Sequence, residues 1–220
     1  MRVLFWSDLF WPYIGGSEIF AAKLLLALRN RHEFVVVTRQ DSPDLPSEDS
    51  YSGVPVYRFP FCTALASRDV TRMIALRRQV AALKRNFAPD LIHIHNFGPS
   101  ILFHLETADV SPAPSLFTAT LEILPGADTG PDTLLRGTLR AADWVTGVSS
   151  DTLAQVRARR RPSLAHLSFS TAWICRGSCR DPFPPGQPDF CAWAGFTPKK
   201  GSISHYRRWP QLSIVFRMSA

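Results

Sequence analysis

A chain of 220 residues with 45% hydrophobic content can bury one large core or two small ones, which argues against wholesale disorder. No apolar run approaches the roughly 18 to 20 residues of a membrane-spanning helix, the start lacks a signal-peptide pattern, and four scattered cysteines do not make a disulfide scaffold, so a soluble, cytoplasmic chain is expected. The net charge of +7 is unevenly spread: residues 1–168 hold 18 Lys/Arg against 16 Asp/Glu, whereas residues 169–220 hold seven against two, which argues against a protein-wide nucleic-acid footprint.

"RVLFWSD" (Arg2 to Asp8) is an apolar run of strand length, as expected of a strand buried on both faces. After "FWPYIGGSE" an amphipathic helix is expected, with Ile19, Phe20, Lys23, Leu24 and Ala27 at near-helical spacing and Ser17 as its N-cap. "FVVVTR" (Phe34 to Arg39) reads as a second strand. "VPVYRFPF" (Val54 to Phe61) reads as a third, whose prolines suit an edge or an end, and the polar "QDSPDLPSEDSYSG" between them reads as a loop. A longer helix is expected over about Asp69 to Asn86, basic on its exposed face through Arg72, Arg77, Arg78, Lys84 and Arg85. "PDLIHIHN", "SLFTATL" and "WVTGVSS" supply three more strands, with helices near residues 99–107 and 131–142 and another opening at Ser149 or Ser150. This alternation predicts an α/β, Rossmann-like open sheet, mostly parallel and covered by helices on both faces, with ligands beyond the carboxyl ends of the strands. From about Ser168 the pattern stops. The stretch beyond it has one leucine, one valine, three of the six tryptophans and three of the four cysteines, and an irregular tail is expected.

At the first strand-to-helix turn, Gly15 and Gly16 permit positive φ and close backbone approach, so the amides of Gly15, Gly16 and Ser17 can face an anion at the positive end of the helix. A plain tight turn is the competing reading. The stretch matches neither G-x-G-x-x-G nor G-x-x-x-x-G-K-[ST]. His93 and His95 lie two apart on one strand and share a face, with His95 and Asn96 at its carboxyl end. A packed, hydrogen-bonded histidine pair and a cleft-lining role for His95 both fit. No further ligand converges by spacing, so no metal is expected, and Cys175, Cys179, Cys191 and His205 fit the usual zinc spacings poorly. "RARRR" (Arg157 to Arg161) reads as a solvated helix end, with phosphate or anionic lipid as the alternative.

Taken in order, "MRVLFWSDLFWPYIGGSEIFAAKLLLAL", "VVVTR", "GVPVYRFPF", "PDLIHIHNFGPS" and "LRAADWVTGVSSDTLAQV" resemble the N-terminal half of a family 4 glycosyltransferase of the GT-B fold, from Met1 to about Leu167. The resemblance implies a domain over residues 1–167 that takes the acceptor, facing a second Rossmann domain that takes a nucleotide sugar, with retaining transfer between them and no essential metal or cofactor. It implies that Gly15 and Gly16, with Ser17 beside them, approach the donor diphosphate. It further implies that His95 and Asn96 line the cleft and that Ser149 and Ser150 lie at the interdomain edge. Where the family carries a histidine after its fifth strand, "FTATLEILPG" offers Thr120 or Glu122, which take the catalytic place; Glu122 accepts hydrogen bonds but donates none at pH 7 unless its pKa is strongly raised. In "AGFTPKKG", Lys200 and Gly201 match the family's Gly-Arg-x-x-Pro-x-Lys-Gly element, while Gly195 stands where the phosphate-binding arginine belongs. Lys200 alone then faces the diphosphate, as a point charge without arginine's fork.

Residues 168–220 are accordingly expected to be an atypical, low-order remnant of a donor domain's start, with the composition of a shifted reading frame beginning near Ser168. The expected function is that of a truncated glycosyltransferase, inactive alone, from a family that moves a hexose from a nucleotide sugar to a saccharide or lipid-linked acceptor. The alternative is a non-catalytic Rossmann-like binding module whose basic tail docks a partner or an anionic surface. The implied partners are the nucleotide sugar and the acceptor, with no nucleic acid, no transmembrane segment, and peripheral membrane contact left open.

Overall fold

A computed structural model describes residues 1–122 and 133–159. Lys200, the tail cysteines, His205 and the composition break near Ser168 lie outside the described residues. In chain order the elements are β1 (Arg2–Ser7), α1 (Gly16–Leu28), β2 (Glu33–Arg39), β3 (Glu48–Tyr51), β4 (Val54–Phe59), α2 (Phe61–Ser67), α3 (Val70–Phe87), β5 (Leu91–His95), α4 (Ile101–Leu105), β6 (Ser115–Ala119), α5 (Leu134–Ala141), β7 (Trp144–Gly147) and α6 (Ser150–Arg159). A single turn of 3-10 helix follows α4 at Ala108–Val110.

The seven strands form one sheet in the order β3-β4-β2-β1-β5-β6-β7. Every neighbouring pair is parallel except β3 with β4. Because side chains alternate between faces, unbroken apolar strands supply two cores. Leu4, Trp6, Val35, Val37, Ile92, Ile94 and Phe117 pack on one face against Ala64, Leu76, Val80, Phe103, Leu139 and Leu153 from the helices. Val3, Phe5, Phe34, Val36, Leu91 and Leu116 pack on the other against Ala21, Leu24 and Leu25 of α1.

Three local expectations need correction. The polar "loop" contains β3, which pairs antiparallel with β4 through Asp49 opposite Val56 and takes the edge position assigned to β4. Arg58, 2% exposed, fastens that edge: its guanidinium pairs with Asp49 at 2.9 Å and donates to the carbonyls of Pro46 and Trp11. In α1 the buried residues are Ala21, Leu24 and Leu25, whereas Ile19 and Ala27 are exposed. The sequence "IFAAKLLLAL" is apolar nearly all round, so spacing does not select a face, and contact with β1 and β2 does. Finally, Gly15 rather than Ser17 caps α1, and Ser17 lies within the first turn.

The chain steps outward from β1 to β2 and β4, and then α2 and α3 carry it back to β5 on the opposite side of β1. The strand order reverses between β1 and β5. In an open parallel sheet this reversal leaves a crevice beyond the carboxyl ends of the two strands. Nearby, α3 buries a cation: Lys84, fully enclosed, donates from Nζ to the carbonyls of His104 (3.0 Å) and Thr107 (3.2 Å) and to His104 Nδ1 (3.2 Å), closing the carboxyl end of α4.

Candidate functional site at the β1–β5 crevice

The expected site residues come from three strand ends, and sheet register brings four of them together. Ser7 pairs with His95, and His95 pairs with Thr118, so the segments following β1, β5 and β6 emerge side by side. Asn96 then turns the chain with φ 63°, in the left-handed region that asparagine tolerates better than most residues. Its side chain stitches the neighbouring segments. Oδ1 accepts from the Thr120 amide at 2.6 Å, and Nδ2 donates to Thr120 Oγ1 at 2.5 Å and to Ser17 Oγ.

Ser17 Oγ is the hub of this cluster. It accepts from Asn96, from Thr120 Oγ1 at 2.9 Å, and lies 3.0 Å from His95 Nε2. His95 Nε2 also lies 3.1 Å from the Ser17 carbonyl, which can only accept, so Nε2 carries the ring proton. Nδ1 of the same ring is buried with no partner among the described residues. Burial pushes the His95 pKa down to about 4, with the Ser17 carbonyl acting in the opposite direction, so the ring is neutral at pH 7. Phe20 and Phe5 stack against it, with ring centroids 5.7 and 5.5 Å away. A hydroxyl oxygen has two lone pairs, so Asn96 Nδ2 and Thr120 Oγ1 fill Ser17 Oγ as an acceptor, and His95 Nε2, which donates to the Ser17 carbonyl, stands beside it as a third polar neighbour.

The two glycines behave differently from the expectation. Gly15 is extended (φ −151°), and Gly16 does not have positive φ, so neither is needed for a left-handed turn. A Cβ on Gly15 would collide with the Glu18 carboxylate, which folds back over the helix start, whereas one on Gly16 would meet nothing within 4 Å. Gly16 is exposed and Gly15 half-buried. The amides of Gly15, Gly16 and Ser17 donate to no group among the described residues, while the Gly15 carbonyl accepts from Ile19. The mouth of the crevice therefore presents three amides at the positive end of a 13-residue helix, with the Ser17 hydroxyl held beside them by its neighbours. The Glu18 carboxylate is a competitor for an anion at that position.

His93 belongs to the packed class. Its Nε2 lies 2.8 Å from Thr118 Oγ1, which reaches Thr146 Oγ1 at 2.8 Å, and burial followed by the neighbouring His95 lowers its pKa to about 3. Glu122 and Ser149 lie further along the same edge. Glu122 is exposed and accepts from Gln155 Nε2 at 3.4 Å. Ser149 caps α6 reciprocally with Thr152: the Thr152 amide donates to Ser149 Oγ at 3.1 Å and the Ser149 amide to Thr152 Oγ1 at 3.0 Å. Ser150 is exposed in the first turn.

Sequence reading missed a second polar group at this edge. Asp8, directly after β1, accepts from Arg39 Nη1 and from the Ser100 amide, both at 3.0 Å, and Arg39 also pairs with Asp41 at 2.7 Å. A Cβ on Gly98 would drive into the Asp8 side chain, so that glycine is what lets the β5–α4 segment close over β1. The available signal was positional: Asp8 and Arg39 are both polar residues at the carboxyl ends of apolar strands.

Among solved structures, the chain is similar to HepE of Anabaena in complex with UDP-glucose, with 15% identity, a TM-score of 0.55, and coverage of 78% of this chain and 43% of that one. It is likewise similar to the sucrose-phosphate synthase of Thermosynechococcus elongatus, with 17% identity, a TM-score of 0.56, and coverage of 78% and 47%. The chain thus spans less than half the length of either, and at these identities the likeness concerns the fold, which is that of a GT-B lobe. No curated protein matches the sequence. The family model described as Glycosyltransferase Family 4 matches residues 14–167, a span that opens one residue before the paired glycines and takes in His95, Asn96, Thr120 and the α6 cap; the chain belongs to that family.

Proposed function

We propose that residues 1–167 form the acceptor-side lobe of a retaining glycosyltransferase that takes a hexose from a nucleotide sugar to a saccharide or lipid-linked acceptor. One observation carries this reading: the Gly15, Gly16 and Ser17 amides are unpaired at the strand-order reversal, with the Ser17 hydroxyl held by His95, Asn96 and Thr120. Donors fixed before a ligand arrives stabilise developing charge on a leaving diphosphate without reorganisation at the moment of reaction. The family match and the UDP-glucose bound by HepE support a nucleotide-sugar donor. Thr120 or Glu122 takes the place beside the transferred sugar, Ser149 and Ser150 face the opposing lobe, and Lys200 contacts the diphosphate.

Turnover by this chain alone is expected to be slight. Thr120 or Glu122 replaces a family histidine, and Gly195 replaces an arginine whose paired contacts with phosphate a lysine does not reproduce. The full chain, assayed with a panel of nucleotide sugars, should bind nucleoside diphosphates yet release little sugar; robust turnover overturns the claim of inactivity. In the same titration, Ser17→Ala and Asn96→Ala should each weaken diphosphate binding by roughly fivefold or more, the loss of about one charge-assisted hydrogen bond. Equal affinity in both variants, with far-UV spectra unchanged, would remove the crevice from the reading.

A further inference from the structure

At the amino edge of the sheet, on the side away from the crevice, the ladder between β2 and β4 stops short. Its first rung is Val36 opposite Val56, and Pro55, next in register, has no N–H with which to extend it. A cavity of about 400 Å³ opens there, a size that holds small molecules. Arg29 and Asn30 just past α1, His32 and Glu33 at the entry to β2, and Pro55 on β4 line it. Arg29 fixes one wall by donating from Nη1 to the Ser52 carbonyl, in the turn where Ser52 and Gly53 have φ of 51° and 86°. His32 is the anomaly. It is 9% exposed, and neither Nδ1 nor Nε2 has a partner among the described residues. Buried polar groups are nearly always paired, and leaving one unpaired is destabilising, so an imidazole in this condition beside a cavity points to a ligand rather than to packing.

We infer that this cavity is a second, non-catalytic binding site that takes a neutral saccharide. Burial, then the N-terminal amine and Arg31, lower the His32 pKa from its ordinary value, so the ring is neutral at pH 7 and offers one donor and one acceptor. A hydroxyl group answers both. The charges that line the cavity, Arg29 and Glu33, are of opposite sign, so a lone anion meets the carboxylate and a lone cation meets the guanidinium, whereas a neutral ligand meets neither penalty. Neighbouring sugar hydroxyls suit the paired donors of Arg29, the acceptors of Glu33 and the mixed amide of Asn30, while Pro55, exposed at the wall, offers an apolar face to ring C–H groups. Both nitrogens of His32 are enclosed, so a ligand reaches them when the ring turns about its Cβ–Cγ bond. No hydrogen bond to a described residue holds the ring against that turn, and the ring contact it gives up is the edge contact with Phe34, centroids 6.3 Å apart. The six residues of β1, at about 3.3 Å each, put roughly 20 Å between the two edges of the sheet. The inference therefore goes beyond the proposed activity and does not rest on it.

The experiment is a titration of the full chain with methyl α-glucoside, methyl α-galactoside, maltose and lactose at millimolar concentrations, followed in proton–nitrogen spectra of the histidine rings and of the Ser52 and Gly53 amides. At least one of the four should move the His32 ring resonances and the two amides together, to saturation. Saturating inorganic diphosphate, which loads the crevice, should leave that titration unchanged. His32→Phe should bind the same saccharide roughly tenfold more weakly, read on the amides, yet unfold at no lower urea concentration, because the ring gives up no hydrogen bond to a described residue. Glu33→Gln, at an exposed position, should weaken binding roughly fivefold through loss of a charged acceptor. Failure of all four saccharides to move His32 overturns the inference. So does a His32→Phe variant that binds like the parent while unfolding at lower urea, which would make the ring a packing group. A third overturning result is a His32 response to uridine or inorganic phosphate with none to any saccharide, the behaviour of a nucleoside or anion site.

Discussion

Gly16 separates two properties that a turn glycine usually confounds. It lacks positive φ and a Cβ there meets nothing within 4 Å, so alanine fits the folded chain without strain. Replacing Gly16 by alanine restricts the unfolded chain and favours the first turn of α1, which should raise stability by about 0.4–1 kcal/mol. The same methyl stands beside the exposed amides and hinders the approach of a phosphate. Gly16→Ala should therefore melt about 1–4 °C higher while binding inorganic diphosphate at least roughly fivefold more weakly. Calorimetry and titration on one preparation read both. A variant that is stabilised and binds unchanged would reduce the glycine to a turn residue. Gly15→Ala is a different substitution, because its Cβ displaces the Glu18 carboxylate from over the helix start.

The site was legible in the sequence as separate strand ends and illegible as a cluster. Gly15, His95 and Thr120 could each be placed at a carboxyl terminus because an apolar run stops just before it. That Ser17 Oγ would gather Asn96 and Thr120, 79 and 103 residues away, depends on register between β1, β5 and β6, which no local pattern encodes. The positive-φ reading of the glycines failed for a related reason: glycine reports that a Cβ is unwelcome, but not whether the backbone or a neighbour such as Glu18 excludes it.

At the scale of elements, the junction between β7 and α6 depends on the absence of one atom. A Cβ on Gly147 would stand 2.8 Å from the Leu153 amide nitrogen and 3.0 Å from Thr152 Oγ1, and the first of these is helix backbone that cannot swing aside. Gly147 thus sets how closely α6 crosses the end of β7, while the side chains of Ser149 and Thr152 each accept from the other's amide at the start of that helix. Gly147→Ala should cost about 1–3 kcal/mol through overpacking. Ser149→Ala should cost ~1 kcal/mol through loss of the cap. Urea unfolding followed by circular dichroism ranks them, and a Ser149 variant less stable than the Gly147 variant would contradict this account of the junction. Element prediction succeeded where one pattern ran long, as at α3, expected over about Asp69 to Asn86 and found over Val70–Phe87, where the Asp69 side chain accepts from the Arg72 amide. It failed at β3, because "EDSY" has a strand's backbone pairing and a loop's composition. A short edge strand buries little, so polarity there argues against burial without arguing against pairing.

For the molecule as a whole, buried ionisable groups make stability a function of pH, with a different cause on each side of neutrality. Burial lowers His93 to about 3, His95 to about 4 and His104 to about 3, the last also through the Lys84 charge. In the unfolded chain these rings take up protons near pH 6.5, so below that value the unfolded state binds more protons and stability falls as pH falls. Three such groups approach a slope of roughly 4 kcal/mol per pH unit between about pH 5.5 and 4, an upper bound comparable with the whole stability of a domain. Urea midpoints should drop steeply below pH 6, and a flat profile down to pH 4 would show that the rings are solvated. On the alkaline side, burial depresses Lys84 from its ordinary 10.5 to about 7, so above pH 7 the unfolded chain holds a proton that the folded chain releases, and stability rises with pH. Burial raises the Cys62 thiol above 9.0 and the Tyr13 phenol above 10.0, and both act in the opposite sense once those groups ionise in the unfolded chain. The lysine is therefore read cleanly between about pH 7 and 8.5. Lys84→Met keeps the length of the side chain and removes its proton, leaving the carbonyls of His104 and Thr107 without their donor, which costs about 1–3 kcal/mol. That loss is independent of pH, whereas the contribution of Lys84 is not. The parent's urea midpoint should climb from pH 7 to 8.5 while the variant's stays level, and a variant that climbs in parallel would move the titrating group elsewhere in the chain.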